Sequence, residues 1–282
     1  MEKEKKSTIW EWLDDLPIGL YFIILVLALA YVQLQPIGLG LPITTLTRAS
    51  YDQMNSLESG DIVLFDQGYG TGSLPIHEPG FVVGFKHAMA KGLKIVIVST
   101  SVEGPMLFER ALMKIDPARK GYEYGKDYIH LGYVAGAEAA IAAMLEDITK
   151  VFTADYQGTP LDQLELADRI KGPTYEKISL LWILSGGSEV MEGWIRQGSV
   201  RYELRQIGDY LEMDTPIYIP YYPVLLQGII NGGIGAAEYE VLSGFAGEAA
   251  KLTDGLSIGH FVILIFLIIG NIGYLMKDKE KR

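Results

Sequence analysis

Residues 180–194 read LLWILSGGSEVMEGW, and this stretch decides the fold class. An unbroken apolar run ends in Ser185-Gly186-Gly187-Ser188, and an acidic stretch compatible with a helix follows. Continuous apolar runs are typical of strands buried on both faces of a parallel sheet. The stretch therefore predicts a strand, a tight turn and a helix, as in an α/β domain.

The same alternation of apolar runs and helical patterns continues along the chain. Four parallel strands are predicted at residues 61–66, 93–99, 127–133 and 178–184. One helix is predicted to begin near Pro79, and a further short strand is predicted at TPIYIPYYP, residues 215–223. Residues 223–252, rich in small side chains, are predicted to be helical in two pieces. The pattern indicates a Rossmann-like, mostly parallel sheet with helices on both faces.

Composition excludes several classes of protein. The formal charge of −11 argues against a nucleic-acid partner, because phosphate contacts need clustered Lys and Arg. The chain has no cysteine, which excludes disulfides, thiolate metal sites and a cysteine nucleophile. None of the four histidines has the HExxH spacing of that class of zinc hydrolase.

Two uncharged apolar segments predict membrane-spanning helices on either side of the central domain. They are LPIGLYFIILVLALAYVQL, residues 16–34, and IGHFVILIFLIIGNIGYLM, residues 258–276. Each has the length that a helix needs to cross a bilayer. The alternative for the first is a cleaved signal peptide with ALA at residues 28–30. Continued apolar sequence beyond that point and several acids before it favour an uncleaved anchor.

The flanking charges predict the topology, with the bilayer as a partner. Lysines precede the first segment, and four basic residues follow the second. Because positive residues in short tails stay in the cytoplasm, both termini are predicted to be cytoplasmic. The sequence predicts a cytoplasmic tail at residues 1–15, a span at 16–36, the α/β domain at 40–255, a span at 258–276 and a second cytoplasmic tail at 277–282. The alternative is a cytoplasmic domain held by two anchors.

Three stretches carry a resemblance to a known family. They are DYIHLGYVAGAEAAI, TADYQGTPLDQL and GGIGAAEYEVL. Together they resemble an uncharacterised family of membrane-anchored α/β proteins from archaea and bacteria. The resemblance covers most of residues 50–245 and implies the fold and the membrane setting. It implies no activity and no functional residues.

Ligands of parallel sheets bind beyond the carboxyl ends of the strands, where helices begin. Three glycine-bearing loops, DQGYGTGSLPIHEPG, STSVEGP and SGGSE, are predicted to lie there, and a fourth, GYVAGAE, enters an alanine-rich helix. Two of these loops carry the candidate ligand-binding residues, which are Gly70, Gly72, Ser73 and His77 in the first of the two and Ser185, Gly186, Gly187 and Ser188 in the second. GYGTGSLP has neither the GxGxxG form nor the GK[ST] ending, which argues against a standard dinucleotide or nucleoside-triphosphate site. No particular cofactor follows from the sequence.

The SGGS stretch also has a purely structural interpretation. Its glycines would permit dihedrals that other residues avoid, and Ser188 would cap the following helix. As a nucleophile, Ser185 or Ser188 would need a histidine base, but the stretch lacks the GxSxG form.

Two other groups of residues are candidates for a catalytic or metal-binding role. The pair His77-Glu78 in the first loop is the most site-like, but an exposed polar pair in a surface loop is the favoured prediction. The acidic stretch of residues 155–168 could hold a cation but does not match an EF-hand, so a solvated loop and no metal site are predicted.

Three functions are compatible with these features. The first is a membrane-anchored binding or assembly module, a structural or accessory component of a membrane complex that forms a homo-oligomer or joins other subunits. Small residues at 220–247 suit either self-association or ordinary packing. The second is a membrane-anchored enzyme acting on a small polar or carbohydrate-like substrate at the glycine loops. A transport subunit is disfavoured because neither span carries intramembrane acids.

Overall fold

The structure is a computed structural model that describes residues 17–35, 42–245 and 247–280. The chain divides into two compact units, residues 41–250 and residues 1–40 with 251–282. We refer to them as the central unit and the terminal unit.

Six strands form one sheet in the central unit. They are β1 (Ile62–Gly68), β2 (Lys94–Ser99), β3 (Tyr128–Tyr133), β4 (Leu180–Ser185), β5 (Gln206–Tyr210) and β6 (Gly228–Asn231). Their order is β3-β2-β1-β4-β5-β6, and every neighbouring pair is parallel. This is the order of a Rossmann sheet. The predicted parallel α/β sheet is therefore confirmed.

Ten α-helices are described. They are α1 (Ile18–Leu34), α2 (Thr45–Asn55), α3 (Leu74–Ala90), α4 (Gly104–Ile115), α5 (Ala137–Val151), α6 (Glu165–Arg169), α7 (Ser188–Trp194), α8 (Thr215–Tyr218), α9 (Gly232–Ser243) and α10 (Glu248–Glu280). Short 3-10 turns lie at 118–120, 161–163, 174–176 and 219–221, and a π-helical segment at 195–200 continues α7.

Apolar cores cover both faces of the sheet. Helices α2, α3, α4 and α9 contribute to one core, and α5, α6 and α7 contribute to the other. Side chains alternate along the strands, so Phe65 faces the first core and Leu64 the second. Trp182 stacks on Phe65 at 5.4 Å between ring centroids, and both are fully buried. Each such side chain contributes about 2–3 kcal/mol through burial.

Two strands escaped the sequence analysis, and one predicted strand is wrong. Strand β5 contains Gly208 and Asp209 and so lacks an apolar run. Strand β6 has only four residues and lies inside a stretch predicted to be helical. The predicted strand at 215–223 is instead α8 followed by a 3-10 turn. Its prolines stand in the first turns of these helical segments, where their fixed φ is compatible with helix.

Helix α3 begins earlier than predicted. It starts at Leu74, with Pro75 in its first turn and Pro79 inside. Burial of His77 and Glu78 with polar partners stabilises the additional turn. The prediction that these two residues form an exposed pair in a loop is therefore wrong.

The terminal unit contains one helix that is long and apolar enough to cross a membrane. It covers Glu248–Leu275, with a mean hydropathy of 2.2 over its most apolar window, of which 6% is buried. The first apolar segment is a helix of 17 residues, Ile18–Leu34, which is shorter than the roughly 20 residues that a span needs. Within the described residues, only the second of the two predicted spans thus coincides with a helix that is long and apolar enough to cross a membrane.

Helices α1 and α10 pack together in the terminal unit. The rings of Tyr21 and Phe266 meet edge to face at 5.1 Å between centroids. A Cβ atom placed on Gly259 would lie 3.5 Å from the side chain of Leu29, so a small residue permits the approach. The predicted tail 1–15 lies outside the described residues, and α10 continues through residues 277–280.

Candidate functional site

The two predicted glycine loops meet at the point where the strand order reverses. Gly68 at the end of β1 pairs with Ser185 at the end of β4. The chain leaves β1 toward α3 on one face of the sheet and leaves β4 toward α7 on the other, and we call the position between the two loops the crevice. This switch point is where ligands bind in open parallel sheets. Gly70, Gly72 and Ser73 lie on one side of it, and Gly186–Ser188 on the other.

His77 lies beneath this crevice, one turn after Ser73 on α3. Its Nδ1 lies 3.1 Å from Oδ1 of Asp209, and both side chains are fully buried. Residues four apart share one face of a helix, so Ser73 and His77 face the same region. Asp209 comes from β5, the next strand beyond β4. The helix and the sheet therefore hold the imidazole between them.

A glycine on α3 makes room for the carboxylate of Asp209. A Cβ atom placed on Gly80 would lie only 2.0 Å from Oδ2 of Asp209. Burial raises the pKa of Asp209 to about 6, while the hydrogen bond from His77 favours the charged form. In the tautomer that donates from Nδ1 of His77 to the ionised carboxylate of Asp209, Nε2 is left as an acceptor.

The Nε2 atom of His77 is buried and has no hydrogen-bond partner in the part of the chain that the structure describes. The exposed Gly186 lies next to it. A Cβ atom placed on Gly186 would lie 3.8 Å from Nε2 and 3.5 Å from Oγ of Ser73. A buried acceptor without a partner costs about 1–3 kcal/mol. The glycine thus keeps open the position toward which both polar side chains point.

The first loop already holds an internal anion. Oε2 of Glu103, from the β2–α4 connection, accepts the backbone N–H of Thr71 at 2.5 Å. This hydrogen bond holds the pKa of Glu103 below its ordinary value. The carboxylate therefore occupies a donor that a phosphate group would use and repels other anions from this side of the crevice.

The second loop differs from its predicted structure in two respects. Gly187, not Ser188, is the N-cap of α7, and no side chain caps that helix. Instead, Oγ of Ser185 accepts the N–H of Gly187 at 3.1 Å. Neither Gly186 nor Gly187 has a φ in the left-handed region. The dihedral explanation for the two glycines is therefore wrong.

Tyr69 lies against this dyad, with its ring centroid 5.8 Å from that of His77, whereas Asp66 and His130 are held by other contacts. Asp66 accepts hydrogen bonds from Thr100 and from Nε1 of Trp194, and burial raises its pKa to about 6. His130 packs between Phe108 and Tyr156, and burial lowers its pKa to about 3. Asp66 is thus a satisfied core carboxyl, whereas Nε2 of the packed His130 also lacks a hydrogen-bond partner among the described residues.

The predicted acidic loop is partly folded and supports no metal site. Asp155 is buried and accepts the hydroxyl of Tyr124 and backbone N–H groups, while helix α6 contains Glu165 and Asp168. No cluster of three metal-ligating side chains occurs among the residues described.

No family model, curated protein or solved structure matches this chain in the comparisons. The site is therefore interpreted from its geometry alone.

Sequence reasoning missed Asp209 and did not single out Glu103, although it placed the loop STSVEGP, which contains Glu103, at this edge of the sheet. Asp209 stands in IGDY, where a polar residue interrupts the strand pattern. A carboxylate at the end of a parallel strand is itself a site signal, but it could be used only if β5 had been recognised.

Proposed function

We propose that the protein is a membrane-anchored binding module whose central unit takes up a small, neutral, hydroxyl-bearing molecule in the crevice. One observation carries the proposal: the buried, unpartnered Nε2 of His77 lies beside exposed Gly186 at the switch point of the sheet. A ligand hydroxyl would donate to Nε2 after the glycine loop shifts. Polyols and carbohydrate-like molecules have this chemistry.

The charges support a neutral ligand over a phosphorylated one. Glu103 already accepts the loop N–H at Thr71, and the chain carries a formal charge of −11. An incoming phosphate would meet a carboxylate where it needs a donor. A hydroxyl can donate to His77 and also to a carboxylate, so it fits both groups.

The membrane setting belongs to the same proposal. Helix α10 suits a span, and the packing of Tyr21 and Leu29 of α1 on it supports a two-helix anchor. Basic residues beyond both apolar segments support cytoplasmic termini. We propose that the module belongs to a homo-oligomer or a larger membrane complex.

Ligand uptake is tested by melting the full chain in detergent micelles with glycerol, myo-inositol, ribose or glucose, each at millimolar concentration. At least one polyol should raise the melting temperature of the wild type, because a ligand that binds only the folded state stabilises it. Gly187→Ala should respond as the wild type does. Stabilisation by inorganic phosphate and by no polyol would overturn the neutral ligand class.

An enzyme is the second candidate, and the dyad favours it specifically. Asp209 orients His77, and Oγ of Ser73 faces the same position as Nε2, although the two are not hydrogen-bonded to each other. In acyl transfer, Oγ would attack an ester carbonyl carbon as Nε2 takes the hydroxyl proton. The ester C–O bond then breaks, and His77 returns the proton to the leaving oxygen.

A fluorophosphonate probe tests this second candidate directly. If the protein is such an enzyme, the probe should label Ser73 covalently, as located by peptide mass spectrometry, and labelling should be lost in Ser73→Ala. Ser185→Ala is the matched control, since Ser185 hydrogen-bonds within its own loop. Labelling confined to other serines, or no labelling, would remove the hydrolytic candidate and leave the binding module.

A further inference from the structure

A second cavity lies at the other end of α3. It has a volume of about 380 Å³ and lies where α3 and α4 end. Its apolar lining comes from Met89, Ala90, Ile115 and Phe245, and its charged lining from Lys86 and Lys120. The size falls within the range of ligand pockets, roughly 300–1,000 Å³. With 17 residues in α3, the cavity is roughly 25 Å along that helix from Ser73.

The two lysines of this cavity are unpaired. Within the described residues, neither Lys86 nor Lys120 has a carboxylate at ion-pair distance. Glu240, the acid whose charge acts on Lys86, accepts backbone N–H groups of Ala249 and Ala250. By contrast, the nearby Lys114 bridges two glutamates. An acidic protein thus leaves two cations facing one cavity.

The lining has the two chemical halves of an amphiphile. Apolar walls suit hydrocarbon, and the ammonium groups suit an anionic head. The carbonyl ends of α3 and α4 lie at the same place and carry partial negative charge, which disfavours an anion. The lysines must outweigh this effect, so anion binding should depend on them strongly.

We infer that this cavity binds an anionic phospholipid, with the head group between Lys86 and Lys120 and hydrocarbon along Met89 and Phe245. Continuity of the chain supports a lipid over a soluble phosphate. Phe245 stands three residues before Glu248, where the candidate membrane-spanning helix begins. The inference is independent of the crevice, since the two sites share no residue.

The experiment uses the full chain in detergent micelles and counts bound lipids by native mass spectrometry. Dioleoyl-phosphatidylglycerol is titrated against zwitterionic dioleoyl-phosphatidylcholine. The anionic lipid should be retained in preference. Lys86→Met and Lys120→Met keep much of the stem and remove the charge, and each should weaken phosphatidylglycerol binding roughly five-fold, with a roughly 25-fold loss for the double variant.

Two further variants separate the cavity from general surface charge. Lys171→Met removes an exposed lysine outside the cavity and should leave binding unchanged. Ala90→Trp fills the cavity at constant charge and should weaken binding at least as much as one lysine change. Circular dichroism confirms that each variant is folded.

Three results would overturn the inference. They are equal retention of the two lipids, full binding by Ala90→Trp, and equal competition by inorganic phosphate or glycerol 3-phosphate. The last would assign the lysines to a soluble phosphate. Polyol binding in the crevice is measured in a separate experiment. A negative result at one site therefore does not affect the interpretation of the other.

Discussion

Replacing Gly186 by alanine should separate the structural and ligand-binding roles of the SGGS turn. The new Cβ atom would lie 3.8 Å from Nε2 of His77 and 3.5 Å from Oγ of Ser73, which are ordinary van der Waals distances. Because Gly186 does not have a left-handed φ, alanine introduces no backbone strain. The variant should fold normally while its methyl group occupies the position above Nε2.

The expected stability change is small and favourable. Alanine at a compatible position restricts the unfolded chain and stabilises a protein by about 0.4–1 kcal/mol. The matched variant Gly187→Ala should gain a similar amount, since its Cβ meets only Oγ of Ser185, at 3.7 Å. The two variants should differ in ligand binding, which Gly186→Ala should weaken and Gly187→Ala should not. Loss of one hydrogen bond to a buried acceptor costs about 1–3 kcal/mol, or roughly five-fold to more than 100-fold in affinity.

Access to the imidazole can be measured without knowing the ligand. Diethyl pyrocarbonate carbethoxylates the unprotonated Nε2 atom, and peptide mass spectrometry resolves His77 from the other histidines. His77 should label at equal rates in the wild type and in Gly187→Ala. In Gly186→Ala it should label at least roughly ten-fold more slowly, in line with the cost of losing a hydrogen bond to a buried acceptor. Equal labelling of His77 in all three proteins would refute the role assigned to Gly186. A melting temperature lowered by Gly186→Ala would refute the stability argument.

Three further predictions concern the dyad, a buried acid and the membrane helices. Asp209→Asn should move the imidazole proton of His77 from Nδ1 to Nε2, because an amide can donate to Nδ1; long-range ¹H–¹⁵N spectra of histidine-labelled protein would show it, and an unchanged tautomer would contradict it. Burial raises the pKa of Asp66 from 3.8 to about 6, so its contribution to stability is complete below pH 3.8. That contribution falls by about 3 kcal/mol as pH rises through 6. In paired unfolding measurements the wild type should therefore lose that much stability relative to Asp66→Asn. In membranes, Tyr21→Cys with Phe266→Cys should be joined by a short bis-maleimide reagent, free of background because the chain has no cysteine, and absence of the cross-link would contradict the packing of α1 on α10.

The sequence predicted the four strands that form the longest apolar runs. Strands β1, β2, β3 and β4 are apolar runs, because helices cover both of their faces. Strands β5 and β6 are short and contain glycine, so no periodicity distinguishes them from turns. Their place in the sheet depends on pairing across the chain, which a local pattern does not contain.

The candidate site was predicted in the same uneven way. Loops that follow apolar strands could be placed at one edge of the sheet, and five of the eight candidate residues lie in them, with Ser185 and Ser188 at the adjoining ends of β4 and α7. His77 was chosen as well, but its partner is 132 residues away and on an unrecognised strand. Glu103 likewise contacts Thr71 across 32 residues. Such contacts follow from strand order, so they could be found only after the order of β4 and β5 was known.

The turn that decides the fold also shows why a glycine pair is ambiguous in sequence. A glycine is required either where φ is positive or where a Cβ atom would occupy needed space. Gly92, after α3, meets the first condition with a φ of +72°. Gly186 does not, and the space beside it is bounded by a serine hydroxyl and an unpartnered imidazole nitrogen. Backbone strain therefore cannot account for this glycine, whereas access to His77 can.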